Sequence, residues 1–416
     1  MSNKKPTKTS TATLLRFHLF KNEDLDFQFI RALTYASYDG ASIGESLRVV
    51  SLIKERKIAT WVSAWQGEAA TVEKLAEEAF TRGNRVSARK AFLRAYNYYR
   101  TAEFYASVKT PEAAGLYKSS LRCFDRAGAL FDPPCESIRI PFEGVSLPGH
   151  FFYAGKRDTP GPTIIICGGA DGSGEELYFL GGREAVDHGY NVLVFHGPGQ
   201  RGALHENERL VFRQDYEVPL KAVVDYALSR ADVDKERLAL YGLSLGGYFV
   251  PRAPVMDKRI GALIANSPIM DFHLWLLRHI GINLNRIPPL LEGLVEGVAQ
   301  VLLPKTQLDY VCWTYGVTRL IDYLKIIEGF QLGELPKQIT CPTLCLASEG
   351  EGKESERQAR KFYDMLQCPK EFHLFTVEEG ADSHCQINNI SLSGQFIFNW
   401  LDDVFGVKSK RAGSAL

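Results

Sequence analysis

The chain lacks an excess of charge of either sign: lysine plus arginine and aspartate plus glutamate number 49 each. No global field therefore recruits nucleic acid or an anionic membrane, and a small molecule is the expected partner. No apolar run reaches the roughly 18 residues of a membrane-spanning helix. The polar start Met1-Ser2-Asn3-Lys4-Lys5-Pro6 lacks the apolar core of an export signal. The eight cysteines are scattered, without a C-x-x-C pair or a cysteine/histidine spacing suited to zinc, so they read as reduced thiols of a cytoplasmic protein with no metal. The glycine-rich stretch Gly168-Gly169-Ala170-Asp171-Gly172-Ser173-Gly174 has neither a G-K-[ST] ending nor a G-x-G-x-x-G spacing. A composition of 45% hydrophobic and 24% charged residues is that of a globular protein, and 416 residues suffice for two structural units.

What is present divides the chain in two. Residues 15–133 carry helical periodicity, clearest where Phe92, Ala95, Tyr96, Tyr99 and Glu103 recur on one face, and Thr110-Pro111 then opens a further helix. This aromatic stripe reads as packing between helices. Phe131-Asp132-Pro133-Pro134 breaks the pattern. Beyond it, 137–142 and 147–153 predict a hairpin, and buried-looking strands follow at 163–167, 191–195, 237–241, 261–265, 343–347 and 371–377. Amphipathic helices are expected at 175–188, 214–229, 356–366 and 392–405. Alternating strands and helices predict an α/β fold, one mainly parallel sheet covered on both faces, with core parts at 134–267 and 339–406. A helical, proline-punctuated insertion at 268–338 reads as a lid. Residues 1–14 and 407–416 are expected to be disordered ends.

The chemistry centres on Leu238-Ala239-Leu240-Tyr241-Gly242-Leu243-Ser244-Leu245-Gly246-Gly247, an apolar run feeding G-x-S-x-G. That pattern writes a sharp strand-to-helix turn with Ser244 at its apex, and nominates Ser244 as a nucleophile. A serine hydroxyl needs a base and the base needs an orienting acid. Of nine histidines, His384 alone lies in a polar loop after the last expected strand, which makes it the candidate base. The turn after 343–347 offers Glu349 and Glu351 and no aspartate; Glu351, flanked by glycines, is chosen over Glu349. Asp382 is read as shaping the histidine loop. Backbone N–H groups of Leu245 and of Gly169 or Ala170 are the candidate oxyanion donors. The adjacent carboxylates Glu175-Glu176 read as helix-start charges, Tyr178 is a further candidate substrate contact, and His196-Gly197-Pro198-Gly199-Gln200-Arg201 reads as a buttress for the nucleophile turn.

With these residues placed, the chain resembles the α/β-hydrolase superfamily. Within it, the likeness is to the branch with a helical amino-terminal domain that includes 2,6-dihydroxypseudooxynicotine hydrolase, fermentation/respiration-switch esterases and fungal polyketide-shortening hydrolases. The motifs that carry it are Ala91-Phe92-Leu93-Arg94-Ala95-Tyr96, Gly168-Gly169-Ala170-Asp171-Gly172, Gly197-Pro198-Gly199-Gln200, the Ser244 turn, and Glu379-Gly380-Ala381-Asp382-Ser383-His384-Cys385-Gln386. The resemblance implies cleavage of an ester or of a carbon–carbon bond beside a ketone by a serine triad without a cofactor. It also implies a pocket closed by the helical domain, a homodimer through that domain, and a substrate contact at Asp271. Ring closure by acyl transfer would use the same acyl-enzyme, and a non-catalytic binding protein on the same fold is the rival from another class. Two positions depart from the branch: His196 stands where aspartate is usual, and Arg201 interrupts G-P-G-Q-G.

Overall fold

The computed structural model describes residues 13–282 and 284–407. Eight strands form one sheet: β1 (Glu136–Phe142), β2 (Val145–Phe152), β3 (Gly161–Cys167), β4 (Asn191–Phe195), β5 (Val233–Leu243), β6 (Ala262–Asn266), β7 (Thr343–Ser348) and β8 (Lys370–Phe375). Their spatial order is β1-β2-β4-β3-β5-β6-β7-β8. The β1–β2 hairpin is antiparallel and β2 joins β4 antiparallel, while β4, β3, β5, β6, β7 and β8 run parallel. Strand order therefore reverses at β3, because β4 lies on one side of it and β5 on the other. The crevice beyond the carboxyl ends of β3 and β5 is where such sheets bind ligands.

The central strands are apolar on both faces because both faces are covered. Ile164 and Ile166 enter one core while Ile165 enters the other. The first core is closed by the amino-terminal helices and by the helices Gly182–Asp187 and Ile390–Phe405. The second is closed by the helices Glu217–Ser229 and Lys353–Met365 and by part of the lid.

In the amino-terminal region, the helices Ala59–Thr81, Arg85–Glu103 and Pro111–Gly128 pack in sequence. The stripe of Phe92, Tyr96 and Tyr99 is buried between elements. Asn97 staples this bundle, donating to the carbonyls of Ala32 (2.9 Å) and Gly40 (2.8 Å). Thr110 accepts from the Ala113 N–H (3.2 Å) and so caps the helix that Pro111 opens.

One expected helix, and the helix that opens after the Ser244 turn, are broken, each for a local reason. The 175–188 segment splits into a short turn of 3₁₀ helix, Glu175–Tyr178, and the helix Gly182–Asp187, because Gly181 takes a φ of 135°. After the Ser244 turn, Pro251 and Pro254 withdraw two backbone donors, and the helix proceeds in short pieces through Met256. The amino-terminal end also differs from expectation. Thr13 and Leu14 are held by Asp382, whose Oδ2 accepts the Leu14 N–H at 2.5 Å. Residues 1–12 and 408–416, where loose ends were expected, lie outside the described residues. The lid carries the helices Phe272–His279, Glu292–Leu302, Lys305–Tyr315 and Leu320–Ile327. Among the described residues no helix is long and apolar enough to cross a membrane.

Candidate active site

Ser244 sits one residue beyond β5 with a φ of 60°. The turn closes so tightly that a Cβ at position 246 would lie 2.3 Å from the Cys167 carbonyl oxygen, and one at 242 would lie 2.3 Å from that of Gly246. Only glycine fits either place. Left-handed backbone at non-glycine residues costs about 1–3 kcal/mol each and persists where the surroundings enforce it. Here Ser244, Ser267 (62°), Cys385 (52°) and Gln386 (54°) all adopt it. The enforcing contacts are visible. The Ser244 N–H donates to the Asn266 carbonyl (3.1 Å) and meets Cys385 Sγ at 3.1 Å. Asn266 donates to Gln386 Oε1 (2.8 Å), and Gln386 donates to Ser348 Oγ (2.8 Å). One polar network thus ties the ends of β6 and β7 to the histidine loop.

Glu351 ends the 3₁₀ turn that follows β7 and is buried. Its Oε1 accepts from His384 Nδ1 and from Ser267 Oγ (2.5 Å), and its Oε2 accepts the Ser348 N–H (3.0 Å). Since a carboxylate only accepts, the proton on this edge of the imidazole belongs to Nδ1, while Nε2 lies 3.7 Å from Cys385 Sγ. Burial by itself would lower the pKa of His384; the neighbouring Cys385 sulfur and the Glu351 carboxylate outweigh it and hold the imidazolium well above the usual histidine range. Glu349 turns elsewhere, accepting the Val377 N–H at 3.0 Å. Asp382 is fully buried and serves the loop and the amino-terminal strap, accepting from Asn388 (2.9 Å) as well as from Leu14.

Ser244, His384 and the loop from Gly168 to Gly172 open on one cavity of about 900 Å³. Its walls come from three regions: Phe104 and Tyr105 of the helical unit, the glycine loop of the core, and lid residues such as Leu277, Val298 and Leu324. Gly169 backs directly onto the serine, since a Cβ there would stand 2.8 Å from Ser244 Oγ. Leu245 directly follows Ser244 and precedes the helix Gly246–Phe249.

Two expected contacts are not brought to this cavity. Asp271 instead caps the helix Phe272–His279, accepting the Leu274 N–H at 2.9 Å. Tyr178 is buried in the first core, stacked on Phe152 with ring centroids 5.1 Å apart. Glu175 and Glu176 are likewise not exposed helix-start charges. Glu175 pairs with buried His196 (2.9 Å), and Glu176 receives a two-pronged donation from Arg31 (2.6 and 2.7 Å). Burial would raise both carboxyls, but His196 and His150 hold Glu175 down to about 2, and Arg100 and Arg31 lower Glu176.

Arg31, which the sequence did not single out, joins Asp171 and Arg201 at the cavity's polar end. Arg31 also reaches Asp171 (3.0 Å), and Arg201 pairs with Glu103. Burial would raise the Asp171 pKa, but Arg31, Arg100 and Arg201 bring it down to about 2. Arg31 had one legible signal, a lone charge within Phe29-Ile30-Arg31-Ala32. The cavity is therefore bipolar: largely apolar under the lid, and lined with paired charges beside the glycine loop.

Comparison with known proteins agrees with this architecture. The chain is 31% identical to 20-hydroxy-prefusarin hydrolase FUS2 of Gibberella moniliformis, over 94% of this chain and 98% of that protein. It is 33% identical to the alpha/beta hydrolase gkaG of Penicillium citrinum, over 92% of this chain and 97% of that protein. The chain belongs to the α/β-hydrolase superfamily. The prolyl oligopeptidase family matches this hydrolase at residues 177–284, a span that contains the Ser244 turn. Its fold is shared with 2,6-dihydroxy-pseudo-oxynicotine hydrolase, at a TM-score of 0.71 and 20% identity over 90% of this chain and 97% of that one. AbyA5 aligns at a TM-score of 0.64 and 16% identity, over 91% of this chain and 93% of that one.

Proposed function

We propose that this α/β-hydrolase cleaves an ester, thioester or β-diketone carbon–carbon bond of a hydrophobic, polyketide-like small molecule through an acyl-enzyme, without a cofactor. One observation carries the reading: Ser244, on a strained turn, opens on the same cavity as His384, whose Nδ1–H is held by buried Glu351.

In this reading His384 Nε2 takes the Ser244 proton as Oγ attacks the acyl carbon, and Glu351 fixes the tautomer and stabilises the imidazolium. The N–H groups of Leu245 and of Gly169 or Ala170 receive the oxyanion. The imidazolium returns its proton to the leaving group, an alcohol, thiol or enolate carbon. Water, deprotonated by the same nitrogen, then releases the acid and restores the serine.

The apolar walls under the lid support a hydrophobic substrate, and the relative FUS2 is by name a hydrolase of 20-hydroxy-prefusarin. Turnover of aryl esters of graded acyl length tests the proposal. Wild type is expected to prefer longer acyl chains, and Ser244→Ala to lose at least about 10³-fold in kcat. Equal turnover by wild type and Ser244→Ala would exclude the serine.

A further inference from the structure

Four consecutive carbonyls of the glycine loop are each held by a side chain from outside it. Gln200 Nε2 donates to Gly168 (2.8 Å) and Gly169 (3.3 Å). The Tyr310 hydroxyl, carried by the lid helix Lys305–Tyr315, donates to Ala170 at 2.8 Å. Arg201 Nε donates to Asp171 at 3.3 Å. The orientation of Gln200 is itself set, because its Oε1 accepts the Gly197 N–H at 2.7 Å and so turns the amide nitrogen toward the loop.

A trans peptide is planar, and its N–H points opposite its C=O. Anchoring the Gly168 carbonyl therefore aims the N–H of Gly169, and anchoring the Gly169 carbonyl aims that of Ala170. Those are the two candidate oxyanion donors. Tyr310 fixes the next peptide, and with it the end of the loop. Its ring in turn lies under the Arg201 guanidinium (4.6 Å), and Arg201 is paired with Glu103 of the helical unit. A glycine at 201, as in the G-P-G-Q-G pattern, would supply neither the stacking surface nor the donor. The G-P-G-Q stretch thus grips the oxyanion loop, where a buttress of the serine turn was expected.

We propose that Gln200 and Tyr310 are positioning residues that hold loop 168–171 in its donor conformation, Gln200 by aiming the two donor N–H groups and Tyr310 by tying the adjoining Ala170–Asp171 peptide to the lid helix Lys305–Tyr315. This rests on the reading that the loop supplies an oxyanion donor to an acyl-enzyme at Ser244. With the Tyr310 tie released, the peptide beside the donors would be free to turn and the loop would be less firmly held. Lid position and transition-state stabilisation would then be coupled, which links substrate fit to rate.

The test uses full-length Tyr310→Phe, which removes only the hydroxyl, and Tyr310→Leu, which also removes the ring. Two measurements are made on each: amide hydrogen exchange of peptides spanning 164–175, and the rate of Ser244 modification by a fluorophosphonate. Both variants are expected to exchange faster in that segment. Both are expected to react about 10- to 100-fold more slowly than wild type, the scale of a misplaced donor. Their KM for an aryl ester should change less than kcat. Wild-type exchange in Tyr310→Phe overturns the latch. Faster exchange with an unchanged modification rate overturns its catalytic consequence. A defect in Tyr310→Leu that Tyr310→Phe fully rescues assigns the effect to the ring and also overturns the proposal. Failure of the underlying reading shows separately, as wild-type protein that takes no label, and it removes the kinetic half of the proposal while the exchange half is still decided by Tyr310.

Discussion

Ser267 donates its hydroxyl to Glu351 Oε1 over 2.5 Å, on the same oxygen that receives the Nδ1–H of His384. The residue that follows β6 therefore grips the carboxylate that follows β7. A hydrogen bond to a charged group is worth about 1.5–3 kcal/mol, so Ser267→Ala is expected to lower kcat by about 10-fold, through a less firmly held acid. Glu351→Gln should lose about 10³-fold or more, because the amide favours the wrong tautomer. Glu349→Gln should leave kcat unchanged, since that side chain serves the Val377 N–H. Steady-state kinetics on one aryl ester compares the three; equal losses at 349 and 351 would contradict the assignment.

The pH dependence has a definite sign. His384 accepts a proton only when neutral, and its folded pKa is raised above 6.5. The base is thus protonated and idle until pH passes above the ordinary histidine value. The ascending limb of kcat/KM for the free enzyme should have its midpoint above 6.5, and residual turnover of Glu351→Gln should show that midpoint moved down. A wild-type midpoint at or below 6.5 would be contrary to this electrostatic picture.

Gly169→Ala places a methyl where 2.8 Å separates it from Ser244 Oγ. The methyl would also stand 2.6 Å from Ser244 Cβ, so the variant is expected to lose more than about 10²-fold in kcat as the donor peptide and the serine are pushed apart, with the rest of the fold kept. Circular dichroism together with kcat checks both halves.

Acid stability follows from Glu175. Its folded pKa of about 2 lies below the ordinary 4.5, so its contribution is present above pH 4.5 and is lost as pH falls toward 2. Urea midpoints measured from pH 6 down to pH 3 should fall, and fall less steeply in Glu175→Gln, where the partner of His196 no longer titrates.

The strands were legible because both faces of the sheet are buried, which leaves apolar runs such as Thr163-Ile164-Ile165-Ile166-Cys167 that no exposed element would carry. That Ser244 and His384 would lie at one cavity was legible for a related reason: turns at the carboxyl ends of strands have their own chemistry, and chain order places them. The choice between Glu349 and Glu351 turns on side-chain direction within one 3₁₀ turn, which two neighbouring glutamates in a sequence do not display. Asp271 was misjudged because a helix cap and a pocket acid look alike before the chain is folded. Arg31 with Glu176, 145 positions apart, and Tyr310 with Ala170, 140 apart, are pairings between regions that only the folded chain brings together.

Ser244 as the acyl-forming nucleophile is tested most directly by intact-protein mass spectrometry after incubation with a fluorophosphonate, with peptide mapping of the adduct. One equivalent is expected to add, on Ser244, with none on Ser244→Ala and a greatly slowed reaction on His384→Ala. Folded wild-type protein that remains unmodified, or that carries its adduct on another residue, would contradict an acyl-enzyme at this serine.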